Sequence, residues 1–131
     1  MAIPAKGNIC NNYIHPLYNL NGDILTEEFP PDHTYHRGIF WAWHQLYEGN
    51  RRLGDGWTND SISQEVVKIT NDIRDDIAQL KLNVLWYSSV SDDGKPFIDE
   101  RTTIEVHKLE EGIRKIDFEI TLKALVKGLQ I

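Results

Sequence analysis

The sequence predicts an all-β fold, an antiparallel β-sandwich, and three observations carry that reading. Apolar residues recur at every second position in several segments, which is the period of a half-buried strand. The connections between those segments hold the Gly, Asp and Pro that turns need. Only the tail from Leu122 to Gly128 could wind as a helix, and Gly128 would stop it early.

In chain order, residues 13–18 and 38–47 read as strands. The second puts Ile39, Trp41 and Trp43 on one side and Phe40, Ala42, His44 and Leu46 on the other, so both faces should be buried. Asn21-Gly22-Asp23 has the composition of a type I′ turn, which makes Tyr18 and Ile24 the flanks of a hairpin. Residues 64–70 give a further strand through Val66, Val67 and Ile69, with residues 71–76 as its turn. Next, Ala78, Leu80, Leu82, Val84 and Trp86 share one strand face, while Gln79, Lys81, Asn83 and Tyr87 take the other.

Thr102, Ile104 and Val106 repeat that alternation, as do Ile116, Phe118, Ile120, Leu122 and Ala124 against Lys115, Asp117, Glu119, Thr121 and Lys123. Short connections at residues 91–96 and 110–112 make these strands antiparallel neighbours. The second half thus reads as a four-strand meander with one face on a core and one face wet. Residues 125–131 form an apolar last strand whose open edge would suit a second copy of the chain, so a homodimer is expected there.

Size and charge narrow the function classes. With 131 residues the chain fits one domain, residues 1–131, or a part of a larger β-fold. Fourteen Lys and Arg against 20 Asp and Glu give a charge of −6, which argues against a phosphate-backbone partner. The longest apolar run, residues 39–43, is far short of the roughly 18 residues of a spanning helix, so no membrane partner is expected. Cys10 is the sole cysteine, which excludes an intrachain disulfide and a cysteine-based zinc cluster. Residues 1–6 lack a basic region followed by an apolar one, so they carry no secretory signal; the compartment is periplasmic or external where a leader has been removed, otherwise cytoplasmic.

One segment concentrates chemistry: Phe29-Pro-Pro-Asp-His-Thr-Tyr-His-Arg-Gly-Ile-Phe-Trp-Ala-Trp-His44. His33 and His36 are three apart, so an extended strand would point them to opposite faces and a turn at Pro30-Pro31 is needed to bring them together. One reading makes His33 or His36 a general acid or base, with Asp32 orienting the ring and Arg37 binding an oxyanion or a substrate hydroxyl. Another collects His15, His33, His36 and His44 around zinc or copper, which favour nitrogen ligands. A third makes the segment a hydrogen-bonded loop anchor with no chemistry. No organic cofactor is expected, since neither a phosphate-binding glycine loop nor a nucleophile elbow occurs.

Residues 48–61 look like a long loop holding three glycines, and long loops are uncommon unless functional. Within it Trp57 offers an aromatic face beside Asp55, Asn59, Asp60, Arg51 and Arg52, a set suited to a sugar ring. The alternative is a core plug, since Trp is highly buried on average. Trp43 reads as core or pocket wall. Adjacent carboxylates at Asp75-Asp76, Asp92-Asp93 and Glu110-Glu111 would point apart, so they read as solvated turns.

Tyr13-Ile-His-Pro-Leu-Tyr18 and then Asp32-His-Thr-Tyr-His-Arg-Gly38 followed by aromatic residues resemble a bacterial family of unknown function labelled methane oxygenase PmoA. The match falls on His15, Asp32, His33, His36, Arg37 and Gly38. The resemblance implies a β-sandwich similar to part of a galactose-mutarotase-like supersandwich, in which a His-bearing loop and aromatic walls line an open sheet face. Members of that family are longer, which would place further strands outside this chain. The expected function is therefore carbohydrate-related, epimerase-like or glycoside-hydrolase-like, with a small-molecule or oligosaccharide ligand. His33, His36, Arg37 and Asp32 would be catalytic, and Trp57, Asp55, Asn59, Arg51 and Trp43 would contact substrate. A non-catalytic binding or assembly module and a His-ligated metal protein are the alternatives.

Overall fold

A computed structural model describes residues 12–131 other than Asp92; residues 1–6, Cys10 and Asp92, on which parts of the sequence reading rest, lie outside the described residues. The fold is all-β: β1 (Leu46–Glu48), β2 (Arg51–Gly54), β3 (Ile62–Arg74), β4 (Ile77–Ser88), β5 (Ile98–Val106), β6 (Ile116–Ala124) and β7 (Leu129–Gln130). Two antiparallel sheets pack as a sandwich, one of three strands in the order β2-β1-β7 and one of four in the order β3-β4-β5-β6.

The four-strand sheet is the predicted meander. Its register sets Val84 opposite Glu100 and Glu100 opposite Leu122, so the even-numbered residues of β4, β5 and β6 share one face. Leu82, Val84, Trp86, Ile98 and Ile104 on that face are buried against Leu46, Leu53, Ile62 and Phe97, where the short sheet covers it. Burying a side chain the size of Trp86 or Phe97 contributes about 2–3 kcal/mol each.

A carboxylate sits inside this core. Glu100 is fully buried, and its oxygens accept hydrogen bonds from Trp86 Nε1 at 2.8 Å, Thr102 Oγ1 at 2.7 Å and Asn12 Nδ2 at 3.4 Å. These donors offset the desolvation that an unpartnered buried carboxylate would suffer.

Several local expectations change. Strand β3 runs on to Arg74, and its turn is Asp75-Asp76 alone, both at positive φ (49° and 66°) in the manner of a two-residue type I′ hairpin. The presumed long loop at 48–61 is a β1–β2 hairpin turning at Gly49-Asn50, with Gly49 at φ 59°, followed by a tight loop closed by the Asp55↔Asp60 bridge. At residues 13–18 no continuous strand forms, and of 38–47 only Leu46 and Tyr47 are strand, at the start of β1. The single bridge Ile14↔Ile39 joins the two stretches instead, because Pro16 lacks an N–H and Gly38 and Gln45 take left-handed φ of 51° and 57°. Tyr18 and Ile24 do pair, but of the turn residues only Gly22 is at positive φ, so the turn is not type I′. The Asn19 side chain shapes it, with Oδ1 accepting from the backbone N–H of Asn21 and Asp23.

No helix forms at the tail. Gly128 at φ 69° turns the chain so that only Leu129–Gln130 pairs, against β1. The apolar last strand expected over 125–131 is thus two residues long. Among the described residues no helix is long and apolar enough to cross a membrane.

Candidate functional site

The histidine segment is folded by its own backbone. His33 N–H donates to Pro30 O, His36 N–H to His33 O and Phe29 N–H to His36 O, so two successive turns bring His33 and His36 to the same side. Their rings stack with centroids 4.8 Å apart. Asp32 Oδ2 lies 3.0 Å from His33 Nδ1. Hydrogen bonds from its own backbone amide and from His33 hold the Asp32 carboxyl below the ordinary carboxylate range.

Gly38 closes this segment. Its N–H donates to Glu27 O, and an added Cβ would stand 2.1 Å from Ile14 O, so only glycine lets the two chains approach there.

Trp57 stands at the centre of an aromatic array. Its ring meets His36 edge-on at 5.4 Å, Phe40 at 5.2 Å and His44 at 5.6 Å. The loop holding it is pinned by Asp55, whose Oδ1 accepts from the backbone N–H of Trp57 at 2.8 Å and Thr58 at 3.1 Å. The other carboxylate oxygen of Asp55 is 2.8 Å from His44 Nδ1. Burial pushes the Asp55 carboxyl up, but the hydrogen bonds from His44, Thr58 and Trp57 outweigh it and leave it below the ordinary range.

A groove of about 390 Å³ opens beside this array, and Asp32, His33, His36, Phe40, Trp57 and Glu27 line it. That volume lies within the span of small-ligand pockets.

The structure separates the other expected site residues. Arg37 is fully buried rather than turned to the groove: its guanidinium lies 4.3 Å over the Phe40 ring and donates to Tyr35 O at 2.7 Å and Asn59 Oδ1 at 3.2 Å. It therefore braces the groove wall, and Asn59, which accepts from it, does not line the groove. Trp43 packs against Trp86 at 5.8 Å on the core side. Arg51 pairs with Glu48 on the β1–β2 hairpin and does not line the groove.

The four-histidine metal set does not assemble. His15 Nδ1 is 2.9 Å from Thr26 Oγ1, the His33 and His36 rings stack face to face, and His44 lies against Trp57 and Asp55. Among the described residues the one group bringing three ligand atoms within 4.8 Å is Glu105, His107 and Asp117. No sequence signal singled out His107, because Asp117 reaches it only through the β5–β6 register. That group satisfies itself: Asp117 Oδ2 is 2.8 Å from both His107 Nε2 and Lys115 Nζ, and Glu105 accepts from Gln79. The Lys115 ammonium, and after it the His107 ring, hold the Asp117 carboxyl below its usual range. An ammonium on the shared oxygen opposes a divalent cation there.

Comparison with known proteins adds one match. The model of a family of unknown function, DUF6807, covers residues 5–131. The chain belongs to this family. No curated protein and no solved structure matches it. Membership brings no activity, substrate or cofactor with it, so what the groove does rests on its own chemistry.

Proposed function

We propose that the groove beside Trp57 binds the ring of a small carbohydrate and that His33 is its proton-transfer group. The observation that carries this reading is an aromatic wall, Phe40 and Trp57 at 5.2 Å, facing the same groove as Asp32, His33 and His36. A sugar presents an apolar C–H face and a rim of hydroxyls, and such a wall with a few convergent polar groups suits both. Asp32 fixes one ring nitrogen of His33, which leaves Nε2 to take or give a proton in epimerase-like or hydrolase-like chemistry.

A binding module without chemistry is the second reading. The stacking of His33 on His36 favours it, since two imidazoles that cover one another's faces also brace a loop.

Calorimetric titration with a panel of mono- and oligosaccharides tests both readings. One sugar class should bind saturably, and Trp57→Ala should weaken it at least about tenfold, ~1.4 kcal/mol. A panel with no saturable binder, or unchanged affinity in the variant, ends the carbohydrate reading. Turnover of the bound sugar that vanishes in His33→Ala while affinity persists identifies an enzyme; a bound sugar that is never turned over identifies the module.

A further inference from the structure

Strand β6 forms one edge of the four-strand sheet along its full length. We propose that this edge pairs with β6 of a second copy of the chain, antiparallel and about a two-fold axis at Ile120, so that the two four-strand sheets become one.

The backbone sets which residues can pair. Lys115 O accepts from His107 N–H and Leu125 N–H donates to Phe97 O, so odd-numbered residues of this stretch turn their amide groups toward β5 and its flanks. Even-numbered residues, Ile116 to Ala124, therefore present theirs to the open side. An axis at Ile120 sets Ile120 opposite Ile120, Phe118 opposite Leu122 and Ile116 opposite Ala124. Every one of these positions has its N–H and C=O directed outward, so each pair exchanges two hydrogen bonds.

The side chains select the same register. On the polar face it sets Asp117 opposite Lys123 twice over, by symmetry, and Glu119 opposite Thr121. On the other face all pairs are apolar. Moving the axis to residue 119 opposes Glu119 to itself and Lys115 to Lys123. Moving it to residue 121 keeps an attractive pair, Glu119 opposite Lys123, but carries Ile116 past the end of the strand and shortens the ladder. Charge thus disfavours the first shift and lost overlap the second, which leaves Ile120.

Two of the usual protections against edge pairing, a proline and a bulge, are missing from this strand. It runs without proline and without a register shift against β5, whereas the opposite edge, β3, has a bulge between Val66 and Lys68. Phe118 and Ile120 are each 37% exposed beside it, and pairing would set these side chains next to those of the second copy. The two-residue β7 offers no comparable edge.

Analytical ultracentrifugation of the whole chain over a range of concentrations reads the proposal. The expected result is a reversible dimer. Asp117→Lys and Lys123→Asp should each raise its dissociation constant about tenfold, and the two combined should restore it, because the swap recreates the opposed charges. Circular dichroism melting checks that each variant is folded. Ile120→Pro, which removes an open-edge donor and leaves the ladder to β5 intact, should give monomer. A chain that stays monomeric at sub-millimolar concentration overturns the proposal, as does a dimer that neither single charge variant weakens.

Discussion

Arg37 Nη2 donates to Asn59 Oδ1 at 3.2 Å across 22 positions of sequence, and this bond ties the histidine segment to the loop that carries Trp57. The guanidinium is fully buried and its planar fork serves Tyr35 O, Asn59 Oδ1 and, at 3.5 Å, Trp57 O. The aromatic wall of the groove depends on that brace.

Arg37→Lys should therefore be far from conservative. A lysine cannot reproduce the fork and buries a compact charge, so a loss of about 3 kcal/mol is expected. Urea unfolding measures it, and a loss within 0.5 kcal/mol, roughly that of an ordinary surface change, would show that the brace is dispensable.

The Asp55 loop should confer acid sensitivity. Its carboxyl titrates lower in the folded chain than in the unfolded one, so the unfolded state binds the proton more readily as pH falls. The stability it supplies is complete above the unfolded-state carboxylate value and is lost as pH drops through the lower folded value. Asp55→Asn should flatten the pH dependence of the melting temperature in that acid range. An unchanged slope would mean that other carboxylates carry it.

Gly38→Ala should cost at least about 2 kcal/mol. Its φ of 51° alone strains an L-residue by about 1–2 kcal/mol, and the added methyl meets Ile14 O at 2.1 Å. Separation of the Ile14↔Ile39 bridge, read as lost amide protection at Ile14 and Ile39, should accompany the drop. Full protection with unchanged stability would refute the steric argument.

Asp76→Gly should act in the opposite direction. Both turn residues between β3 and β4 sit at positive φ, and Asp-Gly is a preferred pair for such a turn. A gain of about 0.5–1 kcal/mol is expected in the same urea assay; a loss would mean that the Asp76 side chain contributes something glycine cannot.

The groove was partly legible beforehand. Asp32, His33 and His36 stand close in sequence with a diproline beside them, so the turn that gathers them could be inferred locally. The His44 and Asp55 pair could not, since they stand 11 positions apart with a hairpin between them. The burial of Arg37 was likewise invisible: nothing local distinguishes a guanidinium reaching into solvent from one folded onto Phe40.

Alternation and turn chemistry, both local, determined from sequence alone the β class, the four-strand meander and the apolar and polar faces of its strands. Tertiary structure decided where pairing stops. Left-handed residues such as Gly38, Gln45 and Gly128 end strands whose apolar patterns continue, because a ladder needs consecutive extended residues as well as a buried face. It also decided which polar groups meet. Arg37 with Asn59, His44 with Asp55 and His107 with Asp117 are set by register and sheet packing, interactions between distant segments that no single stretch of the chain records.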